Sequence, residues 1–265
     1  MQPRFIDTGA NDAFTNMAID EALAISCQQP ILRVYQWKPS AVSLGYNQNI
    51  QKEINLDYCR KNNIDVVRRL TGGKAVFHDK ELTYSFIVPE KLNLLPKDIV
   101  ESYKIIAQAL VIALNKINIT PEIKKINEKI ATSVCFNSAN WYELTVNDKK
   151  IFGSAQRRLD GKILQHGPIL MDFDYELNNN IFNSNNKIDS IENLKQRITS
   201  LKNELKENID INELKEKIKE GFEENFGFEF VDSSLNEKEL ILVEKLKKEK
   251  YSTEEWNYKL LSKTI

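Results

Sequence analysis

The sequence predicts an α+β fold, in which helices flank a central mixed, mostly antiparallel β-sheet and a helical appendage follows at the C-terminus. Three observations support this prediction. Helix and strand patterns share the 265 residues, but they do not alternate as the strand–helix units of a parallel sheet do. Strand patterns follow one another directly over residues 140–174, and mainly charged helical sequence follows from about residue 176.

The first 118 residues contain helices and strands in irregular order. Apolar residues at helical spacing mark the helices, and β-rich runs bounded by turn residues mark the strands. The predicted elements are a helix over 16–27 capped by Thr15 or Asn16, a β-hairpin over 30–46, a helix over 50–63, a strand over 64–70, one or two strands over 75–89 and a long helix over 98–118.

Residues 140–174 predict three strands, because turn residues interrupt the β pattern at Asn147-Asp148 and again at Asp160-Gly161. An asparagine-rich stretch over 176–196 is typical of a solvated connection. We therefore predict a core of residues 1–175 and a mainly helical extension of residues 176–265 packed on it.

Composition narrows the range of functions. With 42% hydrophobic and 28% charged residues, the chain has the composition of a soluble globular protein. A formal net charge of -1 does not indicate a nucleic-acid partner. The sequence has no apolar run long enough to cross a bilayer, and its start lacks the basic-then-apolar layout of a signal peptide. We expect a cytoplasmic monomer that does not bind membranes.

The three cysteines are odd in number and far apart, and they form neither a CxxC pair nor a cysteine–histidine spacing for a metal. We therefore expect no disulfide framework and no metal. Cys27 and Cys59 fall in predicted helices, where a free cysteine packs as a small hydrophobe. Cys135 lies in the stretch SVCFNSANWYEL, and its residue types alone leave two interpretations open: a buried packing residue or a nucleophile at the end of a loop.

The most specific string is RRLTGGKAVFHD, residues 68–79. Two arginines end a strand, and adjacent glycines then allow unusual dihedrals and the close approach of a ligand to the main chain. Exposed amides in such a turn suit an anionic or carbonyl oxygen. A following histidine, His78, strengthens the prediction of a binding site, although a strand histidine is more often structural.

Two further strings carry polar residues on strands. In KKIFGSAQRR, Lys150 shares one strand face with Ser154. In LQHGP, Gly167 follows His166, and because it has no Cβ it permits another group to approach the main chain closely there. An ammonium beside a thiol favours the thiolate. Sequence spacing alone does not bring Lys150 to Cys135, because the predicted hairpin places them at opposite ends.

Taken together, these strings and NMAIDEAL near the N-terminus resemble the superfamily of lipoate–protein ligases, octanoyltransferases and biotin protein ligases. The resemblance extends from RFIDTG to EEWNY near residue 258, with the motifs in fixed order. Within the superfamily the sequence is most similar to the LipM-type octanoyltransferases. In these, a cysteine in the pattern S-V-C-F, followed by W-Y-E-L, carries the acyl group, and Cys135 occupies that place.

The resemblance also implies the other site residues. The lysine of the pattern K-[IV]-x-G-S-A-Q corresponds to Lys150, which would favour the thiolate, hydrogen-bond the acyl oxygen and help to deprotonate the acceptor. Many members have three glycines where this chain has Gly72-Gly73-Lys74, a departure that concerns the shape of the pocket. The expected substrate-binding residues are Arg68, Arg69, Thr71, Gly72, Gly73, Val76, His78, Gly153, Ser154, Ala155, Gln165, His166 and Gly167.

The implied reaction moves octanoyl from octanoyl-acyl carrier protein to a lysine of a lipoyl-accepting protein, such as the glycine-cleavage H protein or a lipoyl domain. The donor is already a thioester, carried on phosphopantetheine, and amide formation from a thioester is downhill, so no ATP is expected. No metal is expected either. Three alternatives stay open: an ATP-dependent lipoate–protein ligase, in which Cys135 is incidental; an amidotransferase between lipoyl domains; and a non-catalytic protein that binds lipoyl domains or acyl carriers.

Overall fold

The computed structural model of the chain describes residues 2–125, 142–183 and 191–258. Its strands are β1 (Arg4–Asn11), β2 (Ile31–Trp37), β3 (Ala41–Leu44), β4 (Asp65–Arg68), β5 (Val76–His78), β6 (Glu81–Pro89), β7 (Glu122–Lys125), β8 (Tyr142–Val146), β9 (Lys149–Phe152), β10 (Ala155–Leu159), β11 (Lys162–Leu170) and β12 (Val231–Ser233). Its helices are α1 (Ala13–Ser26), α2 (Ile50–Glu53), α3 (Leu56–Lys61), α4 (Ile99–Asn115), α5 (Tyr175–Ile181), α6 (Ile191–Arg197), α7 (Leu201–Leu205), α8 (Ile211–Phe226), α9 (Glu237–Leu246) and α10 (Glu254–Tyr258).

One large mixed sheet has the strand order β12-β1-β2-β6-β11-β9-β8-β7, and β10 also lies beside β11. The pairs β12–β1 and β1–β2 are parallel. The remaining described pairs of this sheet are antiparallel. Helices flank this sheet, and a helical segment is present at the C-terminus. The predicted fold class is therefore confirmed.

Hydrophobic cores lie on both faces of the large sheet, because side chains along a strand alternate between its faces. Leu32 and Phe86 belong to the core that also contains residues of α4 and α8. Their neighbours Ile31 and Ile87 belong to the core that contains residues of α1 and α9. The sheet is thus held between two pairs of helices.

A smaller sheet with the order β4-β3-β5 corrects one prediction. The sequence predicted that residues 30–46 form a hairpin, but β2 pairs with β1 and β6, whereas β3 pairs with β4 and β5. Both edges of β2 are already occupied, so β3 has no place beside it. The turn at residues 38–40 instead carries the chain from one sheet to the other.

Side-chain caps change the limits of two predicted helices. The helix predicted from residue 16 begins at Ala13, because the Asp12 carboxylate accepts a hydrogen bond from the Thr15 N–H at 2.8 Å. The helix predicted over 50–63 is two helices, α2 and α3. Ile54 leaves the helix to form a β-bridge with Phe182, and the next residue caps α3.

The turns predicted after β8 and β10 are confirmed. Asn147 and Asp148 have φ angles of 51° and 63°, and Asp160 and Gly161 have 48° and 71°. This left-handed conformation at both central residues suits a two-residue β-hairpin. The single strand predicted between the turns is interrupted at residues 153–154, yet β9 and β10 follow the same edge of β11.

C-terminal elements lie directly against the rest of the chain. Strand β12 pairs with β1, and helix α8 crosses α4 so closely that a Cβ added to Gly221 would lie 2.4 Å from the Ala109 carbonyl oxygen. A division between residues 1–175 and 176–265 stays a prediction. Within the described residues, no helix combines the length and apolar character needed to cross a bilayer.

Candidate active site

The loop that follows β4 contains the adjacent glycines. Gly72 and Gly73 are exposed, and Gly73 has a φ of 86°, which favours glycine. The loop lies against Gly45, where an added Cβ would be 1.8 Å from the Gly73 carbonyl oxygen. The Tyr46 N–H also donates to the Thr71 carbonyl at 2.9 Å. Only a glycine at position 45 therefore permits this close approach.

Arg69 holds the loop from inside the protein. Its side chain is 4% exposed, and Nη2 donates to the carbonyl oxygens of Gly72 at 2.7 Å and Lys74 at 2.8 Å. Nε donates to Thr71 Oγ1 at 3.1 Å. Nη1 donates to the Ser43 carbonyl at 2.8 Å and to Ser43 Oγ at 3.1 Å. This guanidinium thus binds the backbone of the glycine loop at Gly72 and at Lys74, and it also binds the Thr71 side chain that precedes the glycines.

Arg68 is completely buried and holds a neighbouring loop. Its Nη1 donates to the carbonyl oxygens of Gly45, Tyr46 and Gln48. Nε and Nη2 donate to the carbonyls of Trp256 and Asn257 in α10, at 3.0 Å each. The two arginines that the sequence marked as substrate-binding therefore both direct their guanidinium groups at the protein's own backbone. A substrate contact by either stays a prediction.

His166 lies in β11 and connects the glycine loop to α1. Its Nε2 is 2.8 Å from Thr71 Oγ1, and its Nδ1 is 2.8 Å from Asp20 Oδ2. Burial lowers the pKa of His166, and the hydrogen bond with Asp20 offsets only part of this effect. Burial alone would raise the pKa of Asp20, but the charge of Arg33 at 2.6 Å and the hydrogen bond with His166 hold it below its ordinary value. The site therefore favours neutral His166 beside an ionised Asp20.

His78 makes a similar set of contacts in the small sheet. Its Nε2 is 2.7 Å from Ser43 Oγ, and its Nδ1 is 2.7 Å from Glu81 Oε1. The ring stacks on Trp37 with 4.1 Å between centroids. All four side chains are buried. Val76, another predicted binding residue, is the first residue of β5, where it pairs with Ser43 and is partly exposed.

Residues 153–155 lie against β11. Gly167 is required there, because an added Cβ would lie 1.9 Å from the Gly153 carbonyl oxygen. The close approach predicted for Gly167 is therefore present. Ala155 pairs with His166, and Ser154 Oγ is 2.8 Å from the Tyr84 hydroxyl.

Gln165, the residue before His166 in β11, also contacts the Tyr84 hydroxyl. Its Nε2 donates to the Tyr84 hydroxyl at 2.9 Å, and its Oε1 accepts from Gln156 at 2.9 Å. Burial raises the pKa of Tyr84 to about 12, so its hydroxyl stays protonated.

Lys150 lies in β9 opposite Thr145 of β8. Its Nζ forms an ion pair with Glu143 Oε1 at 2.5 Å, and the two side chains are 9% and 17% exposed. A mostly buried ammonium paired with a carboxylate can stabilise a developing negative charge nearby. Cys135, the expected nucleophile, lies outside the described residues.

The other two cysteines are packing residues, as predicted. Cys27 lies in the core that contains α1, and Cys59 lies in the core around the small sheet. Burial raises the pKa of Cys27 to about 12 and that of Cys59 to about 11. Both thiols therefore stay protonated and are poor nucleophiles near neutral pH. Over the described residues, no cluster of histidine, cysteine and acidic side chains could hold a metal ion.

The structure thus links four of the predicted binding residues, Arg69, Thr71, His78 and His166, in one hydrogen-bonded network that meets at Arg69. Two others, Ser154 and Gln165, meet at the Tyr84 hydroxyl instead. Sequence reasoning missed the carboxylates Asp20, Glu81 and Glu143. An acid within the apolar helix pattern NMAIDEAL was a usable signal for Asp20, and the W-Y-E-L pattern contained Glu143.

Comparisons with known proteins agree on the family. The model of the lipoyl protein ligase A/B catalytic domain matches residues 12–223. The octanoyltransferase LipM of Clostridioides difficile is 40% identical over 269 residues, which cover 97% of this chain and 99% of that protein. The octanoyltransferase LipM of Bacillus subtilis is 36% identical over 271 residues, which cover 97% and 98% of the two chains.

Solved structures show the same fold. A structure from work on a bipartite lipoate protein ligase and its E2 lipoyl domain from Thermoplasma acidophilum has a TM-score of 0.84 and 27% identity, covering 100% of this chain and 99% of that chain. A lipoate-protein ligase A bound with ATP has a TM-score of 0.84 and 27% identity, covering 98% and 100%. Because the family domain spans most of the chain and the LipM proteins match nearly all of it, this chain belongs to the lipoyl protein ligase A/B family and, within it, to the LipM-type octanoyltransferases.

Proposed function

We propose that this chain is an octanoyltransferase of lipoate biosynthesis that carries the octanoyl group on Cys135 and uses Lys150 in both transfer steps. The observation that supports this most strongly is identity of 36–40% to octanoyltransferases named LipM along nearly the whole chain. The pairing of Lys150 with Glu143 adds a charged group suited to thioester chemistry.

In the first step, the Cys135 thiolate attacks the carbonyl carbon of octanoyl-acyl carrier protein. A C–S bond to Cys135 forms, the C–S bond to phosphopantetheine breaks, and the departing thiolate takes a proton from the Lys150 ammonium. One thioester replaces another, so this exchange is close to neutral in free energy. Gly72 and Gly73 are exposed residues, and their amides are candidates to face the acyl oxygen.

In the second step, the amine of an acceptor lysine attacks the octanoyl-Cys135 thioester. A C–N bond forms, the C–S bond breaks, and the amine proton passes to Lys150, which restores the ammonium and the thiolate. Because an amide is more stable than a thioester, this step is downhill without a nucleotide. The proposed acceptor is a lipoyl-accepting protein, either the glycine-cleavage H protein or a lipoyl domain. The related Thermoplasma acidophilum ligase was studied with an E2 lipoyl domain.

Transfer can be tested by mixing the chain with octanoyl-acyl carrier protein and an unmodified H protein, with and without ATP, and measuring the mass of the H protein. We expect octanoylation at the same rate in both mixtures, and none with Cys135→Ala. Octanoylation only from free octanoate and ATP would instead identify an ATP-dependent ligase, whose fold this chain shares. Octanoyl transfer only from one lipoyl domain to another would identify an amidotransferase.

A further inference from the structure

Both histidines of the chain belong to hydrogen-bonded relays of the same composition, and the relays meet at Arg69. One relay runs from Arg69 Nε through Thr71 Oγ1 and His166 to Asp20, over distances of 3.1, 2.8 and 2.8 Å. The other runs from Arg69 Nη1 through Ser43 Oγ and His78 to Glu81.

The second relay has distances of 3.1, 2.7 and 2.7 Å. In each relay a guanidinium, a hydroxyl, an imidazole and a carboxylate follow in that order. Glu81 is also fixed from the opposite side, since the Thr83 hydroxyl donates to its Oε1 at 2.7 Å and accepts from Trp37 Nε1 at 2.8 Å.

A guanidinium only donates, so the hydroxyls of Thr71 and Ser43 accept from Arg69. Each hydroxyl keeps one proton, and its other partner is Nε2 of a histidine. Because the site favours neutral His166 beside an ionised Asp20, Thr71 donates to Nε2 of His166, and His166 donates from Nδ1 to Asp20.

We propose that His78 and His166 are positioning residues, which act through Ser43 and Thr71 on Arg69 and thereby fix the Gly72–Lys74 loop for acyl transfer. Arg69 donates to the carbonyls of Gly72 and Lys74, so its orientation decides where the glycine amides point. The relays hold that orientation from two directions. This inference rests on the proposed function, because it assigns the glycine loop to the acyl group.

The arrangement of Ser43, His78 and Glu81 also has the order of a serine nucleophile, its base and a carboxylate. Ser43 is 2% exposed, and its Oγ accepts from Arg69, which leaves no approach for a substrate. We therefore assign this triad to positioning, and we expect a fluorophosphonate probe to leave Ser43 unmodified. Labelling of Ser43 by that probe would overturn the assignment.

A direct test replaces Ser43 with alanine, which removes one relay at a position that no substrate reaches. At saturating octanoyl-acyl carrier protein, we expect the rate constant for acylation to fall about tenfold or more, as small displacements at a reacting centre do. The KM for the carrier should change little, since the carrier's surface contacts remain. His78→Asn should have a similar effect, and the double variant should lose no more than either single variant, as expected for one connected relay.

Two controls separate positioning from loss of fold. Thr71→Val should also lower the rate constant, whereas Thr71→Ser keeps the hydroxyl and should restore it. Ser85→Ala removes a fully buried strand hydroxyl of β6 that has no hydrogen-bond partner in the described chain, and it should leave the rate unchanged.

Hydrogen exchange provides a readout that does not depend on activity. In Ser43→Ala, the amides of Gly72, Gly73 and Lys74 should exchange faster while those of β6 keep their protection. Unchanged loop exchange and an unchanged rate constant would overturn the proposal, and so would faster exchange throughout the sheet. If the wild-type chain takes up no octanoyl group, the proposed function fails, and loop exchange alone then decides whether the relays hold the loop.

Discussion

At the residue scale, the central pair is Lys150 and Glu143, at 2.5 Å on neighbouring strands. In the proposed cycle Lys150 gives up a proton and regains it, so it must stay close to both the leaving thiolate and the acceptor amine. Glu143 fixes the ammonium at one position. A partly buried ion pair of this kind serves geometry more than stability.

We expect Lys150→Met to lower the rate of Cys135 acylation about a hundredfold, the usual contribution of a positioned proton donor. Lys149→Met is the matched control, because Lys149 is the adjacent lysine of β9 and has no part in the cycle. Single-turnover kinetics with octanoyl-acyl carrier protein would measure both. Equal rates for the two variants would contradict the assignment of Lys150.

His166 should make the free energy of unfolding depend on pH. Burial lowers its pKa in the folded chain, so below about pH 6.5, the ordinary histidine value, the unfolded chain binds a proton that the folded chain does not. The contribution of neutral His166 to the free energy of unfolding is therefore complete above this pH. As the pH falls below it, the free energy of unfolding should decrease by up to about 1.4 kcal/mol per pH unit.

Urea unfolding between pH 7.5 and pH 5 would measure this dependence, and those two values are chosen to bracket the ordinary histidine pKa of about 6.5. His166→Gln should flatten the slope even if it lowers stability overall. A slope that is identical in the two chains would show that His166 titrates alike in the folded and unfolded states.

At the element scale, the sequence predicted best where a local signal decides the structure. The turn at Asn147-Asp148 and the long helix α4 are examples, since turn residues and an apolar stripe act over a few positions. The prediction over 30–46 was wrong because strand partners decide it: β1 and β6 occupy both edges of β2. No local pattern reveals that competition.

The contact between α4 and α8 gives an element-scale prediction. A Cβ at Gly221 would lie 2.4 Å from the Ala109 carbonyl oxygen, so Gly221→Ala should destabilise the chain by about 1–3 kcal/mol through overpacking. Alanine at an ordinary helix position stabilises instead. Glu216→Ala, on the exposed side of α8, is the control for helix propensity, and thermal unfolding would compare the two. Equal stability of both variants would contradict the close crossing.

Long-range contacts explain which parts of the site the sequence could reveal. Glu81 lies three residues from His78, so that carboxylate could be found nearby in the sequence. Asp20 lies 146 residues from His166, and only the fold brings them together. The arginines were recognised as site residues, but their backbone partners depend on loops that the sequence does not specify.

At the scale of the whole molecule, the first and last described elements, β1 and α10, contact distant parts of the chain. Arg4 pairs with Glu239 at 2.6 Å, and Asn257 Oδ1 accepts from the Arg68 N–H at 2.8 Å. Arg68 in turn holds the loop that lies against Gly73. The C-terminal elements thus connect physically to the glycine loop, and we expect the chain to unfold in one cooperative transition.

Asn257→Ala tests this connection. It would leave the buried Arg68 N–H without its acceptor, and we expect a loss of about 1–3 kcal/mol of stability. Tyr258→Ala, at a side chain that is 40% exposed, should change stability little. Chemical denaturation followed by circular dichroism would measure both. A separate early transition in the Asn257→Ala chain would contradict a single cooperative unit.

The central claim is that Cys135 carries the octanoyl group. The most direct measurement is the intact mass of the chain after mixing with octanoyl-acyl carrier protein in the absence of ATP. We predict an added octanoyl group that hydroxylamine removes and that Cys135→Ala does not acquire. An unmodified wild-type chain, or an adduct that persists in Cys135→Ala, would contradict the claim.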